Sequence, residues 1–228
     1  LLDDSACLLP APVTHRAPGR ALTDVLGAMP SPEGTLRIGL AHGGVTDFED
    51  TGAHIPPTRA DSARLDYLGL GDWHGRLAIG SRTQYPGTPE QDRFKHGRRG
   101  VCLAVTIDSP GALPRVEEVE TGHFLWAEQD LPIQAGLDTP EALAALLPDR
   151  GRRDVLLRVQ ATGWASLAQR AELVRAANAA APDFAHFELI TDHLGTLLDT
   201  VDLDAIDHAG ALRQAAEDLR DEAEDTTR

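Results

Sequence analysis

The sequence predicts an α/β fold, and three observations carry that prediction. Two short apolar runs, residues 36–40 and 67–70, each end in a glycine-rich turn that bears a histidine: Ala41-His42-Gly43-Gly44 and Gly71-Asp72-Trp73-His74-Gly75. Further on, an apolar run, a helical stretch and a second apolar run follow one another over residues 155–190, the order of a βαβ unit. Finally, 42% of the 228 residues are apolar, enough to bury a sizeable core and to argue against wholesale disorder.

Taken in order, residues 36–40 and 67–70 read as short strands buried on both faces, because they are apolar nearly throughout. Between them lies a polar, proline-bearing loop over 47–58 and a short helix over 59–65. Residues 77–79 and 101–107 are further strands. The second places Val101, Leu103, Val105 and Ile107 on one face, and Cys102 within it is expected as a small buried thiol. Asp108-Ser109-Pro110-Gly111 is a turn leading to a partner strand at 116–120. After Asp130 the composition shifts. Thr139 is the expected N-cap of a helix with Pro140 at its first position, and Pro148 stops that helix. Residues 155–159 form a strand, Ser166 caps a helix running to about residue 180, and 184–190 form the next strand. Trp164, after Gly163, is expected to anchor the core of this module. The last thirty residues read as an acidic helix with little apolar face. The domain organisation expected is therefore 1–130, an α/β layer domain; 131–195, a small α/β module; and 196–228, an acidic helical tail.

No segment approaches ~18 uninterrupted apolar residues, so no membrane span is expected. The N-terminus lacks the basic and apolar regions of a signal peptide. Two cysteines, Cys7 and Cys102, make no disulfide framework, and a reducing cytoplasm is the simplest expectation. The formal charge of −15 is uneven: residues 1–100 carry 11 Lys/Arg against 12 Asp/Glu, and residues 101–228 carry 10 against 24. The acidic C-terminal half disfavours extensive duplex binding there.

His42 after one strand and Asp72 and His74 after another form a mixed nitrogen and oxygen donor set. Such a set suits Mn, Fe or Zn better than Mg or Ca, and without thiolates nearby a structural zinc site is disfavoured. Asp72 and His74 lie on the same side if the backbone between them stays extended. Downstream, the turn Gln84-Tyr85-Pro86-Gly87-Thr88-Pro89-Glu90 is followed by Arg93, Lys95, His96, Arg98 and Arg99. The cations Arg93, Lys95, Arg98 and Arg99 are candidate phosphate-facing residues.

The succession Gly39-Leu40-Ala41-His42-Gly43, then Leu65-Asp66-Tyr67-Leu68-Gly69-Leu70-Gly71-Asp72-Trp73-His74, then Tyr85-Pro86-Gly87-Thr88-Pro89-Glu90 with Phe94, resembles the calcineurin-like metallophosphoesterases. The likeness is greatest to their SbcD-like DNA-repair exonuclease branch. Leu9-Pro10-Ala11-Pro12 resembles the segment after that family's third motif. The resemblance covers residues 1 to about 130 and extends loosely over the following module as a capping region.

It implies a layered metallophosphoesterase-type sheet and a metal-dependent phosphodiesterase or exonuclease. Two divalent metals about 3.5–4 Å apart, most readily Mn with Fe or Zn as alternatives, would clamp a phosphodiester and activate water. His42, Asp72 and His74 are the ligands it implies; the partners it implies are DNA or another phosphodiester, an SbcC-like coiled-coil ATPase, and a second copy in a homodimer. The sequence departs from the family at two points. Asp72 stands where the family has a histidine, and the upstream motifs, which include the family's catalytic histidine, are not found before Leu36. Together with the start at Leu1, this leads to the expectation that the upstream half of the site belongs to a longer protein and that this chain alone is inactive. Two other readings are a small-nucleotide phosphodiesterase, favoured by the acidic C-terminal half, and a non-catalytic binding or scaffold module with the same fold.

Overall fold

Among the described residues, runs of β-branched and leucine-rich sequence broken by glycine and proline turns fold into three sheets with few helices. In the computed structural model, residues 5–13, 22–45 and 54–197 are described, with several positions between 210 and 222. Two compact units divide the chain, Leu1–Trp126 and Ala127–Arg228, where composition placed the division after Asp130.

The first unit is built on β1 (Ala6–Ala11), β2 (Leu36–His42), α1 (Arg59–Ser62), β3 (Tyr67–Gly71), β4 (Leu77–Ala78) and β5 (Thr83–Tyr85). Its five-stranded sheet has the order β1-β2-β3-β5-β4. The pairs β1–β2, β2–β3 and β3–β5 are parallel, and only β4 runs against its neighbour. One face is covered by a 3-10 turn at Leu22–Gly27 and by the segment around α1. Leu26, Ile55, Ala60, Ala63 and Leu65 pack there on Cys7, Leu9, Leu68 and Leu70. Gly39 makes this possible: a Cβ on it would lie 2.7 Å from Leu65 Cδ1 and 2.9 Å from Leu68 Cδ1. Burial of Leu68 and Leu70 stabilises the unit by about 1.5–3 kcal/mol each.

At the opposite end of these strands the buried Asp66 carboxylate accepts the Arg37 and Gly111 backbone N–H groups at 2.8 and 2.6 Å. It thereby ties β2 and β3 to the turn after β6 (Val101–Thr106), which pairs antiparallel with β7 (Arg115–Glu120).

The expectation that 36–40 is buried on both faces is corrected. Only Gly39 of β2 is buried, and Leu40 is 45% exposed. Arg37, Gly39 and Ala41 face the covered side, while Leu36, Ile38 and Leu40 line an apolar groove of about 470 Å³ with Tyr67, Val105 and Ile107. An unbroken apolar run cannot reveal that one of its faces is left open. Cys102 is likewise corrected from buried to exposed. The alternation that turns Val101 inward turns Cys102 outward, beside the Thr121 hydroxyl.

The second unit contains α2 (Thr139–Leu146), β9 (Val155–Ser166), α3 (Leu167–Ala180) and β10 (His186–Leu197), with β8 (Leu125–Ile133), from Ala127 onward, as its remaining strand. The sheet order is β10-β9-β8, and β9 and β10 are parallel neighbours joined through α3, the expected βαβ unit. Val155, Leu157, Val159, Ala161 and Ala165 of β9 are buried, as is Leu173 of α3. Ser166 and Gln169 form a reciprocal capping box at the start of α3.

Two assignments change here. Asp138, not Thr139, caps α2, its carboxylate accepting the Glu141 N–H at 3.0 Å. The Thr139 hydroxyl is buried and donates instead to the Gln169 carbonyl. Trp164 is no core anchor, being 58% exposed. It sits opposite Gly195 in the β9–β10 register, and its ring covers the place a Gly195 side chain would fill. On the outward face of the sheet, Arg158 is held between Glu188 at 2.8 Å and Glu128 at 3.5 Å. The expected acidic tail lies largely outside the described residues. Gln214, Ala215, Asp218, Leu219, Asp221 and Glu222 are helical.

No described helix is long and apolar enough to cross a membrane.

Candidate metal centre

The site grows from the carboxyl edge of the parallel sheet, where α/β folds gather ligand-binding groups. His42 closes β2 in register with Gly71, the last residue of β3. Gly71 leaves room for the imidazole where it stands, since a Cβ there would lie 2.8 Å from His42 Nδ1. The next residue, Asp72, leaves the strand at φ 101°, a left-handed conformation that aspartate tolerates better than most residues. Its Oδ1 comes to rest 3.6 Å from His42 Nε2, with both side chains more than half exposed. The Gly43 N–H extends the ladder to the Gly71 carbonyl, and the Tyr85 hydroxyl donates to the Gly43 carbonyl at 2.5 Å. Burial, and then the charge of Asp72, push the Tyr85 phenol up to about 12, so it remains a neutral donor.

The left-handed turn at Asp72 also removes the extended backbone on which the same-side expectation for Asp72 and His74 rested. His74 has different partners. Its Nδ1 lies 2.5 Å from Asp92 Oδ2 and 2.7 Å from Arg93 Nη2, while Arg93 Nε donates to Asp92 Oδ1 at 3.2 Å. The Arg93 hydrogen bond, followed by that of His74, holds the Asp92 carboxyl below its usual range. The structure thus pairs His42 with Asp72 and His74 with Asp92. Among the described residues, no group of three or more His, Cys, Asp or Glu side chains is placed to hold one ion.

The Tyr85–Glu90 turn is clasped to this segment. The Thr88 N–H donates to the His74 carbonyl at 3.1 Å, and Gly87, at φ 82°, passes so close that a Cβ would lie 2.8 Å from that same oxygen. Glu90 accepts the His123 and Phe124 N–H groups, which hold its carboxyl below the usual range.

The candidate phosphate-facing cations divide by partner, although Arg98 and Arg99 line one pocket with His74. Arg93 contacts it directly, and Lys95 Nζ lies 5.1 Å from the centre of the Trp73 ring. Arg98 and Arg99 are turned toward β7, pairing with Glu118 at 2.6 Å and Glu120 at 3.8 Å. His96 meets Trp73 edge-on at 5.8 Å, and burial, with Arg93 and Lys95, lowers its pKa. Trp73 itself packs against the core. Asp92 was not legible as a site residue: it is 18 positions from His74, a separation no spacing rule connects, and only the chain reversal at Gly87 joins them.

As a test of fit, two donors on one ion at about 2.1 Å and tetrahedral angles stand roughly 3.4 Å apart. The His42–Asp72 separation of 3.6 Å therefore matches two positions of a single coordination sphere, and imidazole with carboxylate is a donor set for Mn, Fe or Zn. No protein-family model matches the sequence, and no curated protein matches it significantly.

Proposed function

We propose that this chain carries part of the site of a metal-dependent phosphodiesterase or exonuclease of the calcineurin-like, DNA-repair type. One observation carries the reading: two adjacent parallel strands end in register at His42 and Gly71, and the Asp72 turn brings a carboxylate to the His42 imidazole. His42 and Asp72 would hold one divalent cation and His74 a second, with the remaining donors supplied from outside the described residues. When bound, the cations would polarise a phosphodiester and lower the pKa of a bound water. Arg93, beside His74, and Lys95, over the Trp73 ring, would orient the anionic substrate, while Tyr85 fixes the turn that carries His42. DNA is the substrate class the resemblance suggests, with an SbcC-like ATPase as the partner it suggests. A non-catalytic binding module is the second reading, favoured by the engagement of Arg98 and Arg99 with Glu118 and Glu120.

Calorimetric titration of the chain with Mn tests the proposal. The expected result is binding that weakens at least ~10-fold in both His42→Ala and Asp72→Asn, the loss typical when a ligand or its support is removed. Equal binding in all three proteins would overturn it.

A further inference from the structure

His74 stands between two neighbours that make opposite demands on its Nδ1. A neutral imidazole carries one hydrogen, so Nδ1 is either a donor or an acceptor. It faces the Asp92 carboxylate at 2.5 Å and the Arg93 guanidinium at 2.7 Å. If Nδ1 were bare it would accept from Arg93, but its lone pair would then meet a carboxylate oxygen at 2.5 Å with no hydrogen between them. That oxygen has no way to relieve the repulsion. If Nδ1 carries the hydrogen, it donates to Asp92. Arg93 Nη2 must then ease back from the protonated Nδ1, and its half-exposed side chain can do so while its Nε and Nη2 keep Asp92 Oδ1 and Oδ2, now at 3.2 and 3.3 Å, as acceptors.

We propose that Asp92, braced by Arg93, is the positioning residue for His74: it holds the imidazole as the Nδ1–H tautomer and leaves Nε2 as the bare lone pair offered to a divalent cation. The part of this concerning the cation rests on His74 being a ligand; the part concerning the tautomer stands on the hydrogen bonds alone. A carboxylate behind a metal-binding imidazole fixes the ring and raises its basicity. The Asp92 side chain is 39% exposed, so replacing it leaves the core intact.

The tautomer is read by long-range 1H–15N correlation spectra of the metal-free, 15N-labelled chain at pH 8, with the His74 signals assigned by their loss in His74→Asn. Expected are a protonated Nδ1 and a bare Nε2 in the parent protein. Asp92→Ala shifts the hydrogen to Nε2, and Asp92→Asn, which keeps an acceptor oxygen, preserves the parent pattern. A parent His74 with hydrogen on Nε2, or a pattern unmoved by Asp92→Ala, would overturn the positioning role. Mn titration of the same proteins separates this from the ligand assignment. Asp92→Ala weakens binding ~10–100-fold if both hold. Binding indifferent to both His74→Asn and Asp92→Ala removes the cation part of the proposal. Binding lost in His74→Asn but unchanged in an Asp92→Ala protein whose tautomer has switched overturns the claim that the tautomer governs the cation.

Discussion

Gly87→Ala is the sharpest test of how the site is held together. Gly87 sits at φ 82°, where a Cβ costs about 1–2 kcal/mol through contact with its own backbone. That Cβ would also stand 2.8 Å from the His74 carbonyl oxygen, 3.0 Å from Arg76 N and 3.0 Å from Gly75 C. These are backbone atoms, so relief requires the two segments to separate and the Thr88-to-His74 hydrogen bond to lengthen, a further loss of about 1 kcal/mol. The combined loss is about 2–3 kcal/mol, which for a unit of this size lowers the melting temperature by roughly 6–15 °C. Gly97→Ala is the matched control: Gly97 is also left-handed, at φ 57°, but a Cβ there meets nothing within 4 Å. It should show only the first contribution, about 1–2 kcal/mol. Circular-dichroism melts of the three proteins decide the matter. Equal shifts in the two variants would show that the clasp between the turn and the His74 segment is not under the close contact described.

Two further outcomes follow from the same geometry. Gly71→Ala places a methyl 2.8 Å from His42 Nδ1; the exposed imidazole swings away at a cost under ~1 kcal/mol, as for other surface changes, so Mn affinity falls about 10-fold while the melting temperature moves little, and unchanged affinity would contradict the His42 assignment. Stability should also fall on acidification from pH 7, because the folded-state pKa of His96 lies below its ordinary 6.5 and the unfolded chain therefore takes up the proton first. The loss begins near pH 6.5 and ends below the folded pKa; urea denaturation at pH 7.5 and 5.5 should show it, with a smaller difference in His96→Gln.

The strands that place the site were readable because each apolar run stops at glycine, and a strand ending in a glycine-flanked histidine is a local pattern. What escaped depends on the third dimension. The sequence of β2 does not say that only its Gly39 face is covered. Trp164 looked like core material because it is large and apolar, yet Ala165 took the inward position and left the indole to cover Gly195. Strands β9 and β10 run to 12 residues each, well past the expected ends, because polar residues such as Gln160 and Thr162 belong to the outward face. That Arg98 and Arg99 pair with Glu118 and Glu120 depends on β7 coming within reach, and the pairing of Asp92 with His74 became visible only once the turn at Gly87 was folded.

The open groove along Leu36, Ile38 and Leu40 bears on how these measurements are made. Its walls offer a ready-made nonpolar berth of about 470 Å³, large enough for a fluorogenic dye of the kind used to follow melting. A dye lodged there would glow on the folded protein before any heat is applied, flattening the rise that is meant to report unfolding. Ellipticity follows the transition without that background.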